Sequence, residues 1–243
     1  MVITRSNHDL TTTYLYYWSE EIIACAQQKK IPVIDLAKKR ANRKDFASII
    51  RKTHPSLVVI NGHGDDFVVM GYDNEPLVEA KVNESLLKNT IVYARSCRSA
   101  KTLGPSCINS GCHAYIGYQD DFVFFIENEK ITHPLDDKTA KMFIEPSNNI
   151  VTSLLKGHPA KETNSRSKEI YKRSNQKLTT SATTKEEREL IPYLVWNYNN
   201  QVCLGDGEVG RFGRHVTRQD QDAHKGERQN QSERDKTQGL HHR

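Results

Sequence analysis

No stretch of the chain approaches the run of about 20 apolar residues that a membrane-spanning helix needs, and its first residues lack the basic, apolar, small-residue order of a signal peptide. A soluble intracellular, cytoplasmic protein with no membrane partner is the expectation. Cysteine is scarce as well. The five, Cys25, Cys97, Cys107, Cys112 and Cys203, are odd in number and too sparse for a disulfide framework, which points to a reducing compartment and at least one free thiol. Paired Cys-x-x-Cys or His-x-x-x-His spacings are missing, so zinc held by His63, Cys97, Cys107, Cys112 and His113 is disfavoured, and no metal or cofactor is expected. Concentrated charge is also missing. The net charge of +5 is small for 243 residues, and basic side chains are dispersed among acidic ones, so nucleic acid is not an expected partner.

With 36% hydrophobic residues, the sequence can supply one substantial core. Beyond Gly205 apolar residues almost disappear, and such a segment cannot offset the entropy of ordering. The expected organisation is a domain over residues 1–206 and a disordered polar tail over 207–243.

Within the domain, apolar runs at Val2 to Thr4, Ile31 to Leu36, Leu57 to Ile60, Thr90 to Ala94, Ala114 to Gly117 and Phe122 to Ile126 predict strands. Between them, Tyr14 to Gln27, the stretch around Phe46 and Ile50, and Lys101 to Ser110 carry helical spacing. The polar stretch containing Gly71 and Pro76 predicts a hairpin or loop excursion. Further on, helices are expected at Thr139 to Ile144, Ile150 to Leu155, Ser165 to Lys177 and Glu186 to Asn197. A flexible connection is expected at Leu178 to Thr184, and a last strand at Gln201 to Leu204. Strands alternating with helices predict an α/β fold, a mostly parallel central sheet with helices on both faces.

In an open parallel sheet, functional groups gather at the carboxyl ends of the strands. Leu57 to Ile60 runs into Asn61-Gly62-His63-Gly64, and Thr90 to Ala94 runs into Arg95-Ser96-Cys97-Arg98. A histidine and a cysteine thus leave consecutive apolar strands at one sheet edge. An imidazole there can take the thiol proton and later return one to a leaving amine. Glycines at 62 and 64 let the backbone approach a substrate, so the Gly64 and Cys97 amides are candidate oxyanion donors. Asp65 and Asp66 either orient His63 or form a solvated loop, and Asp120 and Asp121 read as a turn.

The segments VVINGHG (58–64) and IVYARSCRSA (91–100) resemble the two catalytic blocks of the caspase-hemoglobinase superfamily, which includes caspases, metacaspases, gingipains and CHAT peptidases. GCHAYIG (111–117) and VCLGD (202–206) are similar to later segments of such domains. The resemblance implies a three-layer caspase-like sandwich, and cysteine endopeptidase activity through a His63–Cys97 dyad and an acyl-enzyme, without a metal. It also implies a protein substrate and regulation by a partner protein or by processing; a catalytically silent scaffold is the alternative. In that superfamily, the side chain two before the nucleophile faces the pocket for the residue preceding the scissile bond. Arg95 stands there, where caspases have Gln and many metacaspases Asp. Asp9, in the loop after the first strand, is placed by the resemblance as a second wall of that pocket, where it would pair with Arg95. Basic residues are then disfavoured at the cleaved bond.

Overall fold

Alternate residues of a strand face opposite ways, and this period of two sorts the apolar runs into two cores. Val58, Ile60, Val92 and Ala94 lie in one core, and Leu57, Val59, Ile91 and Tyr93 in the other. The computed structural model describes residues 1–180 and 183–210. Its central sheet contains β1 (Val2–Arg5), β2 (Ile34–Ala37), β3 (Leu57–Asn61), β6 (Ile91–Arg95), β7 (Ala114–Tyr118) and β8 (Gln201–Gly205). They lie in the order β2-β1-β3-β6-β7-β8, parallel except that β8 runs antiparallel to β7. The excursion after β3 is a hairpin of β4 (Val68–Met70) and β5 (Pro76–Glu79).

Helices cover both faces, so the protein is a three-layer α/β sandwich. On one side α3 (Arg43–Thr53) contributes Phe46 and Ile50, α4 (Leu103–Asn109) contributes Leu103 and Cys107, and the hairpin adds Val69 and Val78. On the other, α1 (Leu10–Trp18) and α2 (Glu20–Gln28) contribute Leu15, Ile22 and Ala26, and α5 (Lys138–Leu155) contributes Ile150, Val151 and Leu154. Beside α5, α6 (Ala160–Leu178) packs against it and against β7 and β8, with Ala160 in the same core; α7 (Lys185–Arg188) and α8 (Ile191–Asn200) follow, and α8 packs on α6.

Four expectations change in detail. The helix expected at Glu186 to Asn197 is two, α7 and α8, and Pro192 stands in the first turn of α8. The helix expected at Tyr14 to Gln27 is two helices joined at Ser19, whose hydroxyl donates to the Leu15 carbonyl. The helices expected on either side of Pro146 are one, α5, with Pro146 inside it. Phe122 to Ile126 is not a strand. Its side chains are taken up by aromatic contacts: Phe122 with Tyr118 and Phe124, Phe124 also with Tyr14, and Phe125 with Phe143 and Tyr193. The Val123 backbone is satisfied by a side chain instead of a strand, since the Asn197 amide accepts from its N–H and donates to its carbonyl. That meets the demand that backbone groups be paired without extending the sheet.

At the end of the domain, the Gly207 and Val209 carbonyls accept from the Lys161 and Ala160 amides in the first turn of α6. Most of the expected disordered tail, residues 211–243, and residues 181–182 of the expected connection lie outside the described residues. Among the described residues, no helix is long and apolar enough to cross a membrane.

Candidate active site

The chain steps from β1 to β2 on one side and then to β3 on the other, so β1 and β3 flank the point where the strand order reverses. Crevices open at the carboxyl ends of strands at such a point. The loop after β1 brings His8 and Asp9 there, and the loop after β3 brings His63. Next in the sheet is β6, whose Arg95 pairs with Asn61 in register. His63 and Cys97 each stand two residues beyond that pair, on neighbouring strand ends.

Several hydrogen bonds fix the backbone at this edge. The Gly62 amide donates to the Arg95 carbonyl at 3.4 Å, and the Ser96 hydroxyl to the His63 carbonyl at 2.8 Å. Behind Cys97, the amides of Arg98 and Ala100 donate to the carbonyls of Asp120 and Tyr118. Arg98 takes a φ of 53°, the left-handed conformation that turns the chain off β6 toward α4. A β-carbon at Gly64 would stand 2.2 Å from the Ser96 hydroxyl oxygen and 2.6 Å from the Val68 carbonyl oxygen. No other residue fits there without moving backbone. Among the described residues, neither the Gly64 nor the Cys97 amide donates a hydrogen bond.

Asp9 is held from two sides. It is the N-cap of α1, accepting from the Thr12 amide at 2.7 Å and the Thr12 hydroxyl at 2.8 Å. Its other oxygen, Oδ2, lies 2.6 Å from His63 Nε2. Burial alone would raise the Asp9 carboxyl, but the hydrogen bonds from Thr12 and His63 outweigh it and hold the group below the usual carboxylate range. A carboxylate only accepts, so the shared hydrogen belongs to His63 Nε2, and in the neutral imidazole Nδ1 then keeps a free lone pair.

Cys97 is partly buried, with Sγ 3.9 Å from the Phe122 carbonyl oxygen and the Asp121 side chain close by. Burial pushes its thiol above the ordinary value, and the Asp121 carboxylate adds to the effect. The resting sulfur is therefore the neutral thiol, without a hydrogen bond to His63. Replacing Asp121 by Asn should lower the Cys97 pKa, because it removes a charge that opposes the thiolate. The pH profile of iodoacetamide alkylation at Cys97, followed by mass spectrometry, should move to lower pH in Asp121→Asn. An unmoved profile would show that Asp121 does not act on the sulfur.

The expected substrate pocket is corrected. Arg95 has no exposed surface, and its Nη2 donates to Asn148 Oδ1 on α5 at 2.6 Å. Its Nε and Nη1 are buried without a hydrogen-bond partner, and its expected partner Asp9 is engaged by His63 instead. The expected Arg95–Asp9 pair is therefore not formed. Asp65 closes its own turn by accepting from the amides of Phe67 and Val68, and Asp66 pairs with Lys101 at 3.0 Å, so neither orients His63. Cys107 and Cys112 are core residues, and Cys112 and His113 precede β7 at the amino edge of the sheet, opposite His63. The disfavoured zinc set is not assembled.

The sequence reading missed His8 and the true partner of Asp9. The signal for the second was local: Asp9 followed three residues later by Thr12 is an N-cap pattern, and a capped helix start fixes the direction of its capping side chain. No family model and no curated protein matches the chain.

Proposed function

We propose that this protein is a caspase-like cysteine endopeptidase in which Cys97 is the nucleophile, His63 the general base and acid, and Asp9 the positioning residue. The observation that carries the reading is the β3–β6 register. It delivers an imidazole and a thiol to adjacent strand ends, with the imidazole already oriented by a carboxylate.

The assigned steps follow from this geometry. Nδ1 of His63 accepts the Cys97 proton as sulfur attacks the substrate carbonyl, and the imidazolium that forms is stabilised by Asp9. The unengaged Gly64 and Cys97 amides then donate to the developing oxyanion. His63 returns the proton to the leaving amine, and water repeats the sequence on the acyl-enzyme. A silent scaffold is the competing reading, favoured by the absence of a Cys97–His63 hydrogen bond.

Labelling with a library of peptidyl acyloxymethyl ketones separates the two. The expected adduct forms on Cys97 faster than on Cys25 or Cys203, which are also partly exposed. Asp9→Asn should slow it by about tenfold or more, because the amide keeps the α1 cap but can stabilise neither the imidazolium nor its tautomer. Labelling of Cys97 no faster than of the other two thiols in the folded protein would defeat the peptidase reading.

A further inference from the structure

His8 has no part in the proposed peptidase chemistry, yet it is held at the site. Its side chain is only 9% exposed and lies against the rings of Tyr72 and His63, with centroids 5.4 and 6.1 Å away. Its Nδ1 is buried without a hydrogen-bond partner. Its Nε2 has a long 3.4 Å contact to Asn74 Oδ1 and faces Asp9 Oδ2 at 3.6 Å, too far for a hydrogen bond. Burying an imidazole with Nδ1 unpaired and Nε2 only weakly engaged is costly, and it holds Nε2 beside the Asp9 carboxylate that also meets His63.

We infer that His8, Asp9 and His63 form a binding site for a zinc-like divalent cation that, when occupied, disables His63. The regulatory half of this inference rests on the peptidase reading; the binding half does not. One ligand atom from each of the three residues lies within 4.8 Å of the others. Tetrahedral zinc with bonds of about 2.0–2.1 Å holds its ligands about 3.4 Å apart. The 3.6 Å separation of His8 Nε2 and Asp9 Oδ2 already matches that spacing, while the 2.6 Å Asp9–His63 pair must open as the ion replaces its hydrogen. Two imidazoles and one carboxylate suit zinc and its late first-row neighbours, not calcium or magnesium, which take all-oxygen shells. The Asp9 and His63 side chains are 38% and 35% exposed, which gives the ion an entry path and leaves the fourth position to water.

Inhibition follows from the tautomer. Nε2 can bind a metal only through its lone pair, so a neutral His63 ligand carries its hydrogen on Nδ1. That is the atom assigned to accept the Cys97 proton, and it would then have no lone pair to do so.

The test uses the full chain freed of metal with a chelator. Zinc chloride is titrated by calorimetry, and cobalt chloride by visible absorption. One site with a tetrahedral cobalt spectrum is expected, weakened by about tenfold or more in His8→Ala and retained in Cys97→Ala. The His8→Ala difference removes any contribution from His241 and His242, which the chain also carries. Melting curves confirm that each variant is folded, and His8→Gln provides a second variant with a polar side chain at the position. Zinc should also slow ketone labelling of Cys97 in the wild type, and its half-inhibitory concentration should rise about tenfold or more in His8→Ala. No saturable binding, or binding that is lost in Cys97→Ala and kept in His8→Ala, would overturn the site. Zinc binding lost in His8→Ala, in a chain whose Cys97 is not labelled preferentially, would keep the site and discard the peptidase reading.

Discussion

Cys97→Ala is expected to keep the fold and to lose peptide hydrolysis by about a thousandfold or more, and His63→Ala to lose nearly as much. Cys97 belongs to no core cluster and its only direct hydrogen-bonding contact is a long one at 3.9 Å, so removing its sulfur should disturb little packing. The remaining backbone donors could still polarise a carbonyl, but nothing could form the acyl-enzyme. His63→Ala retains the thiol but leaves it neutral, because burial and Asp121 both oppose ionisation. The two effects should not add in the double variant, since the residues act in one step. A fluorogenic peptide identified by library screening gives the turnover numbers. Unchanged turnover in folded Cys97→Ala would remove the dyad.

Phe143→Ala should have the opposite profile, with stability lost and chemistry kept. The Phe143 side chain is fully buried in a cluster with Tyr171, Leu178 and Leu194, 5.7 Å from the Phe125 ring. Its carbonyl accepts from the buried Tyr171 hydroxyl, so α5 and α6 meet at this residue. Truncating such a ring removes transfer energy and leaves a cavity, together costing about 3–5 kcal/mol. For a domain of this size that should lower the melting temperature by about 10 °C, measured by calorimetry. The labelling rate of Cys97 in the folded fraction should be unchanged, because none of these residues touches the site. A melting temperature within a degree of the wild type would mean that α6 is not needed to close the core.

The strands that carry the site were legible because their pattern is local. Leu57 to Ile60 and Ile91 to Ala94 are unbroken apolar runs, buried on both sides in the sheet, and each leads directly into the segment that carries a proposed catalytic residue. Tertiary choices were not legible. The Phe122 to Ile126 run has strand composition, but aromatic contacts and one asparagine drew it elsewhere. Arg95 looked available because it precedes the nucleophile by two residues, and only the position of α5 shows that Asn148 covers it. His8 gave no signal, since its meaning depends on a carboxylate beside it and an imidazole 55 positions later in the chain.

The sheet order also bears on when the site can exist. The pairings that build it, Val2 with Val58, Leu57 with Ile91 and Ile91 with Ala114, join segments far apart in sequence. Contacts of such separation make for slow folding, because large loops must close before any pairing is rewarded. The turn that presents Cys97 is secured by the carbonyls of Tyr118 and Asp120. Tyr118 in turn is paired with Gln201 of β8, the last strand among the described residues. A nascent chain halted before β8 would therefore carry every proposed catalytic residue and still lack the sheet edge that backs the Cys97 turn, so the proposed site is completed only once β8 has been made.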